Sequence, residues 1–598
     1  MIDLGATVTA DGTRFAVWSS RAKDVRVRLF SDRTQVDRDE ELTRREGGIF
    51  DAELRGVGPG ALYKFVVDGR ELPDPYARFL PFGVHGPARV EARPPARIRE
   101  RRFQPPALER WVLYELHVGT FTPEGTWRAA KGRLDALVDL GINAVEVMPI
   151  AAFAGTRGWG YDGVALFAPF AGYGAPDDVR DFVAACHDRG IAVVLDDVYN
   201  HFGPDGNYLS AYSPEYFTPH HRTAWGDAPD YGEPHLRRLV LQNARYWLGE
   251  FDFDGLRLDA THAILDDSPT HILAELASVG AAFSPKRTII AEDERNDPGL
   301  VARDHLDALW ADDFHHEVHV LLTGERDGYY AAYTPSVAAL ARTIERGWLY
   351  EGEIYAPWKK ARGRAAPDLE AWRFVYAIQN HDQIGNRPFG TRLGQDAGLD
   401  AQAAAAVLLL FLPMVPLLFM GEEWGASSPF LYFTDHAGEL GRAVTEGRHA
   451  EFAHFAGFSD PSVRDRIPDP QAPATFERSR LEWGEREREP HARILALYKH
   501  AIALRRSDAV LASPARDRLA CEANGSLLAV RRWLGEEQRV LLFNAGVSDA
   551  PAPFAFTRDD VLVASTKLER VDRVPGRAAL VVRPSRPSLR DVLAGGPA

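Results

Sequence analysis

Phe251-Asp252-Phe253-Asp254-Gly255-Leu256-Arg257-Leu258-Asp259-Ala260 reads as a short buried strand that ends in a carboxylate. Leu256 and Leu258 alternate with Arg257 and Asp259, and side chains on a strand point to opposite faces with period two, so the arginine and the aspartate share one face. An arginine placed there keeps the aspartate ionised and oriented, which a carboxylate nucleophile requires near neutral pH. A purely structural ion pair satisfies the same pattern. What gives the decapeptide weight is that apolar runs closed by polar clusters recur on both sides of it.

From Trp111 onward such runs alternate with helical patterns. Strands are expected over 112–118, 144–148, 192–195, 255–258, 288–291, 308–310, 374–378 and 416–420, with helices over 177–188, 235–248 and 401–412. This alternation predicts an α/β fold of the (β/α)8 TIM-barrel type, whose site lies at the C-terminal strand ends. Polar clusters stand at those ends: Asp196-Asp197-Val198-Tyr199-Asn200-His201 after the third strand, Asp259 after the fourth, Glu292-Asp293-Glu294 after the fifth and Asn380-His381-Asp382 after the seventh. Long loops over 202–234 and 425–489 follow the third and eighth strands, and loops of that length in a compact domain usually serve function.

Residues 1–95 carry short β-branched runs between glycine and aspartate turns and predict an N-terminal β-sandwich. The proline- and arginine-rich segment 96–110 reads as a linker, 111–506 as the catalytic barrel and 507–598 as a C-terminal antiparallel β domain. A net charge of −15 argues against nucleic acid or an anionic membrane as partner. Only two cysteines, Cys186 and Cys521, are present in segments far apart, which speaks against a disulfide framework or a cysteine metal site and for a cytoplasmic location. The N-terminus lacks the basic flank and apolar core of a signal peptide. The uncharged run 403–420 contains Pro413 and Pro416 and reads as a buried helix breaking into a buried strand.

Asp259, Glu292 and Asp382 come from three strand ends, so a barrel can converge them. Three acids around one point suit glycoside chemistry: one carboxylate attacks the anomeric carbon, a protonated one releases the leaving oxygen, and a third favours the charged transition state. A competing metal site could draw on Asp196, His201, His262, Glu292, His381 and Asp382, but no pair among them has a compact ligand spacing. His315, His316 and His319, read as lying on an extended segment, suit a pocket wall better than a chelate. Phe121, Trp127, Trp159, Tyr161, Trp225 and Trp424 are candidate platforms for sugar faces or, taken singly, core residues. Glu422 and Glu423 are candidates for the outer cleft.

In order and context, Asp196-Val198-Asn200-His201, Gly255-Leu256-Arg257-Leu258-Asp259, Ala291-Glu292-Asp293 and Asn380-His381-Asp382 resemble the four sequence regions of the α-amylase superfamily. The resemblance implies a retaining α-glucoside enzyme with Asp259 as nucleophile, Glu292 as general acid/base and Asp382 as transition-state stabiliser. It further implies sugar contacts from Arg257, His201 and His381, with Tyr161 as the platform beneath the ring. The N-terminal domain, with Pro73-Asp74-Pro75-Tyr76-Ala77 at its exit, is similar to the carbohydrate-binding-like domain before the barrel in branching and debranching enzymes and trehalohydrolases. The segments 117–126, 155–164 and above all 312–325 resemble the maltooligosyltrehalose trehalohydrolase family. That resemblance implies hydrolysis of the α-1,4 bond next to the terminal trehalose of maltooligosyl trehalose; no organic cofactor is implied, and no metal site is assigned. It also implies a trehalose-recognising wall that includes Asp312, His315 and His316, joined by Trp225 or Glu422, and a synthase as functional partner. A branching or debranching enzyme is the alternative; a noncatalytic glucan-binding protein would have lost one of the acids.

Overall fold

The computed structural model describes residues 3–92, 103–223, 226–451, 463 and 466–584. Leu113–Leu116 (β1), Ala144–Val147 (β2), Ala192–Asp197 (β3), Gly255–Leu258 (β4), Thr288–Glu292 (β5), Ala308–Trp310 (β6), Phe374–Ala377 (β7) and Val415–Phe419 (β8) pair in chain order, and β8 closes on β1. Every pair is parallel.

Period-two alternation sorts the side chains. Leu256 and Leu258 point outward into the core shared with the surrounding helices, while Leu113, Ala144, Val194, Ile290, Val375 and Leu417 fill the barrel interior. Towards the C-terminal ends the inward residues change to Glu115, Glu146, Arg257 and Trp310, all buried. The barrel is apolar below and ionic above, so its upper layer supports the site. Gly255 cannot carry a side chain, because a Cβ there would sit 2.5 Å from the Thr288 carbonyl oxygen on the neighbouring strand.

Pro176–His187 (α1) precedes β3, Pro234–Glu250 (α2) precedes β4 and Ile272–Ala281 (α3) precedes β5. Proline opens α2, and the Glu233 side chain caps it by accepting from His235 N–H. Asp312–Thr323 (α4) follows β6, against the expectation of an extended segment. The helix signals were present: Asp312 and Asp313 favour the positive N-terminal end, Phe314, Val318 and Leu322 recur every fourth residue, and Gly324 ends the helix at φ 75°. Leu399–Phe411 (α5) runs into β8 through Pro413, as the uncharged run suggested. The first strand is shorter than expected, because Val118–Phe121 turns helical.

A four-stranded sheet containing Gly12–Trp18 and Ile49–Arg55 and a five-stranded sheet containing Val25–Phe30 and Leu62–Val67 form the N-terminal sandwich. It is fastened to the barrel's third loop and to α2: Ser19 Oγ donates to the Tyr212 carbonyl in the loop at 2.7 Å, and the Trp18 ring stacks on His235 in the first turn of α2 at 4.0 Å. A five-stranded antiparallel sheet, Leu519–Asn524 to Ala578–Val582, forms the C-terminal domain. Residues 93–102, the end of the expected sandwich and the first part (96–102) of the expected linker, and the last residues (585–598) lie outside the described residues. The third loop carries a hairpin, Phe217–Thr223 with Gly226–Pro229, and the eighth carries Gly438–Glu451 (α6) before His491–Ser507 (α7).

Candidate active site

Arg257 organises the strand ends. Its Nη1 donates to Asp196 Oδ1 at 2.7 Å and to Asp259 Oδ1 at 3.0 Å, and its Nη2 donates to Glu292 Oε2 at 2.6 Å. The guanidinium lies over the Trp310 ring, 4.3 Å from its centre. Asp259 and Glu292 keep 13% and 16% of their side-chain surface open, whereas Arg257 is sealed, so ligand can reach the acids and not the cation. Ala260 turns the chain immediately after Asp259 with φ 40°, a left-handed conformation unusual for alanine, and its N–H donates to Glu292 at 3.1 Å.

Three carboxylates around one guanidinium cannot all ionise, and their surroundings divide them. Burial opposes ionisation of Asp259, but the charges of Arg257 and His201 and a 2.7 Å hydrogen bond from Asn200 Nδ2 outweigh it and hold its carboxyl below the usual range. Glu292 is pushed well above that range by burial, which Arg257 only partly offsets and which Asp259 and Asp382 reinforce. Asp196, the most enclosed, is raised by burial to about 6 despite Arg257.

A second chain of contacts comes from β7. His381 lies at the start of a short helix capped by Asn380, and its Nδ1 donates to Glu115 Oε1 at 2.5 Å. Tyr161 Oη donates to Asp196 Oδ2 at 2.6 Å and meets His381 Nε2 at 2.8 Å. With the tyrosine proton on Asp196, both ring nitrogens of His381 are donors, the imidazolium pattern. Burial alone would lower the His381 pKa, but Glu115 raises it. The Tyr161 ring stacks beside His381 at 5.1 Å. Asp382 is held by Asn386 Nδ2 and lies close enough to Glu292 and Asp312 to raise both, Asp312 to about 7 behind the larger effect of its burial.

The structure thus brings Asp259, Glu292, Asp382, Arg257, His201, His381, Tyr161 and Asp312 to one face of the barrel. His315 and His316, being helical and not extended, stand behind Asp312 in an aromatic layer: His316 stacks on Tyr329 at 4.8 Å and meets His315 Nδ1 to Nδ1 at 3.1 Å. Asp313 points the other way and braces α4, accepting from Leu349 N–H at 2.7 Å and from Tyr333 Oη at 2.6 Å. Glu422 and Glu423 do not line the cleft; both are buried behind β8 on tyrosine hydroxyls. Phe121, Trp127 and Trp424 are core residues, Trp159 packs edge-on to His381, and Trp225 lies outside the described residues. Among the described residues no group of three or more His, Cys, Asp or Glu is arranged to hold a metal ion, and His262 faces Glu294 at 3.5 Å. Sequence reasoning missed Glu115 and Glu146, whose signal was a carboxylate inside an apolar strand, and Asn200 as a direct partner of Asp259.

A closed parallel barrel with acids on β4, β5 and β7 around a buried arginine is a glycoside hydrolase of the α-amylase type, and residues 98–229 match the family model for the α-amylase catalytic domain. Residues 3–77 match carbohydrate-binding module 48, the isoamylase N-terminal domain. Malto-oligosyltrehalose trehalohydrolase from Deinococcus radiodurans is 50% identical over 97% of this chain and 96% of its own length. The protein of that name from Arthrobacter ramosus is 45% identical over 86% of this chain and 90% of its own. A Salmonella typhimurium structure provisionally described as an alpha amylase superposes with a TM-score of 0.88 at 37% identity, covering 97% of this chain and 99% of that one. The chain belongs to the malto-oligosyltrehalose trehalohydrolase family.

Proposed function

We propose that this chain hydrolyses the α-1,4 bond next to the terminal trehalose of maltooligosyl trehalose, releasing trehalose, by a retaining double displacement. The observation that carries the mechanism is the division of labour around Arg257: an ionised Asp259 and a protonated Glu292 held by the two nitrogens of one guanidinium. Such a bridge keeps the acids close, as the roughly 5 Å separation of a retaining pair demands. Asp259 bonds to the anomeric carbon while the bond to trehalose breaks and Glu292 gives its proton to the departing oxygen. Glu292 then takes a proton from water, the water oxygen bonds to the anomeric carbon, and Asp259 leaves as carboxylate. Asp382 stabilises positive charge at the ring, His201 and His381 hold the hydroxyls, and Tyr161 underlies the ring; Arg257, expected to touch the sugar, is sealed beneath the acids and positions them instead.

Asp312 is the member of the sixth-strand segment best placed to meet the trehalosyl side, with His315 and His316 supporting it from behind. Residues 1–95, 96–110, 111–506 and 507–598 serve in this reading as accessory sandwich, linker, catalytic barrel and closing β domain. A synthase that caps maltooligosaccharides with trehalose would supply the substrate. Two unpaired cysteines support a cytoplasmic setting, and no helix among the described residues is long and apolar enough to cross a membrane.

The test is trehalose release from maltotriosyl trehalose beside a plain maltooligosaccharide of equal length. The first substrate has no reducing end, so new reducing sugar reports each cleavage. At least tenfold higher kcat/KM on the trehalose-ended substrate is expected; equal rates would return the protein to general glucan hydrolysis, and cleavage of α-1,6 branch points would favour a debranching enzyme.

A further inference from the structure

Strand register sorts the inward side chains of the barrel into layers, each drawn from alternate strands. The observed pairings, followed one residue up each strand as the tilt requires, join Glu146 on β2, Arg257 on β4, Trp310 on β6 and Leu417 on β8, and return through β1 to Glu146. The same path from Glu115 gives Asp196 and Glu292 as the layer above. From Leu113 it gives Val194, Ile290 and Val375 as the layer below. Glu146 therefore lies one layer beneath the acids, level with the arginine that holds them.

This layer is sealed, and its polar atoms are left over. Glu146 and Arg257 are fully buried and Trp310 nearly so. Among the described residues neither carboxyl oxygen of Glu146 has a hydrogen-bond partner, and neither does Arg257 Nε or Trp310 Nε1. The other end of the same guanidinium holds Asp196, Asp259 and Glu292, and its flat face lies over the Trp310 ring. Burial, reinforced by Glu115, pushes the Glu146 carboxyl well above the usual range even though Arg257 opposes this. Glu146 is thus neutral and does not compete with Asp259 for the arginine's charge.

Buried polar groups are paired, by protein or by ordered water. Here the partner must be neutral, because a cation would meet Arg257 and an anion would meet Glu115 and Asp196. Water is neutral, donates and accepts: it can take the N–H of Arg257 Nε or Trp310 Nε1 and give a proton to the Glu146 carbonyl oxygen. We propose that Glu146 is a positioning residue of the active site, joined to Arg257 and Trp310 by one or two waters held inside the barrel, and that this link fixes the guanidinium which carries Asp259 and Glu292. A displaced guanidinium would shift both acids at once, and turnover is sensitive to such shifts. The positioning role rests on the reading of Asp259 as nucleophile and Glu292 as acid; the water site does not.

Crystallography and kinetics on the full chain decide this together. In a high-resolution crystal structure of the unmutated protein, water density within hydrogen-bond reach of Glu146 and of Arg257 Nε or Trp310 Nε1 is expected; a dry layer overturns the proposal. On maltotriosyl trehalose, Glu146→Leu should lower kcat about tenfold with KM within about twofold of the parent. It should also move the acid limb of the kcat/KM profile upward in pH, because Asp259 loses part of its hold on Arg257; a role in packing alone would change stability and leave that limb in place. Glu146→Gln, neutral and able to donate and accept, should recover most of the lost kcat. A glutamine variant as slow as the leucine one, or a leucine variant with kcat and acid limb unchanged, overturns the positioning role. If leucine prevents folding, Trp310→Phe keeps an aromatic ring against Arg257 and removes one donor: a fall in kcat of about threefold with the same upward move of the limb is expected, and an unmoved limb overturns the proposal. Absence of trehalose release from the unmutated chain would overturn the proposed activity instead, and the crystal density would still decide the water site.

Discussion

Two carboxylate pairs stand at C-terminal strand ends of this barrel, and they are built to opposite purposes. Asp259 and Glu292, after β4 and β5, share a buried guanidinium and remain partly open. Glu422 and Glu423, after β8, are sealed and meet neutral donors: Tyr498 Oη at 3.0 Å from Glu422 and Tyr114 Oη at 3.1 Å from Glu423. Burial raises both of the latter, Glu422 to about 8 and Glu423 to about 7. A strand-end position does not by itself make an acid reactive. A cation that keeps one member charged, together with an opening for substrate, separates the two pairs.

The sharpest way to break the comparison is Asp259→Asn. Loss of kcat on the order of 10^4-fold is expected, with the fold intact by circular dichroism; near-normal turnover would remove Asp259 from the nucleophile's role. Next comes Arg257→Met, which leaves Asp196, Asp259 and Glu292 without their shared cation. Destabilisation of about 3–5 kcal/mol in urea unfolding at neutral pH is expected, and a change below about 1 kcal/mol would mean the carboxylates are held by something else.

A pH profile sharpens the same point. The proposed mechanism requires Asp259 ionised and Glu292 protonated, so kcat/KM should fall on the acid side below the usual carboxylate range and on the alkaline side well above it. Glu292→Gln should lower kcat by about 10^2 to 10^4-fold and abolish the alkaline limb; persistence of that limb would assign it to another group.

The smallest effect is expected at Glu422→Gln, where kcat should change less than twofold. The folded state keeps a proton on Glu422 that the unfolded chain releases near 4.5, so this group's contribution to stability falls as pH rises from there to about 8. The glutamine variant does not titrate. Its stability relative to the parent should therefore improve across that window, and a parallel pair of stability curves would contradict a neutral buried Glu422.

Much of this was legible in the chain itself. The alternation around Arg257 and Asp259, the recurring strand-end clusters and the four ordered motifs define the barrel and its acids, because strand periodicity and motif order are local properties. The histidine-rich segment shows where local reading slipped: adjacent histidines looked extended, although Asp312, Asp313 and Gly324 already marked the ends of a helix. Glu115 and Glu146 were visible as carboxylates in apolar strands, but their place in the barrel's upper layer depends on which strands close on one another.

Sequence alone therefore determined the fold class, the family and the set of acids. Tertiary structure decided which acids favour the charged form, that Glu422 and Glu423 face Tyr498 and Tyr114, and that the loops after β2 and β8 are clamped together through Arg157–Asp435 and His436–Asp162. The reason is physical: ionisation and accessibility depend on desolvation and on charges brought together from strands far apart in the chain, and these exist only once the barrel has closed.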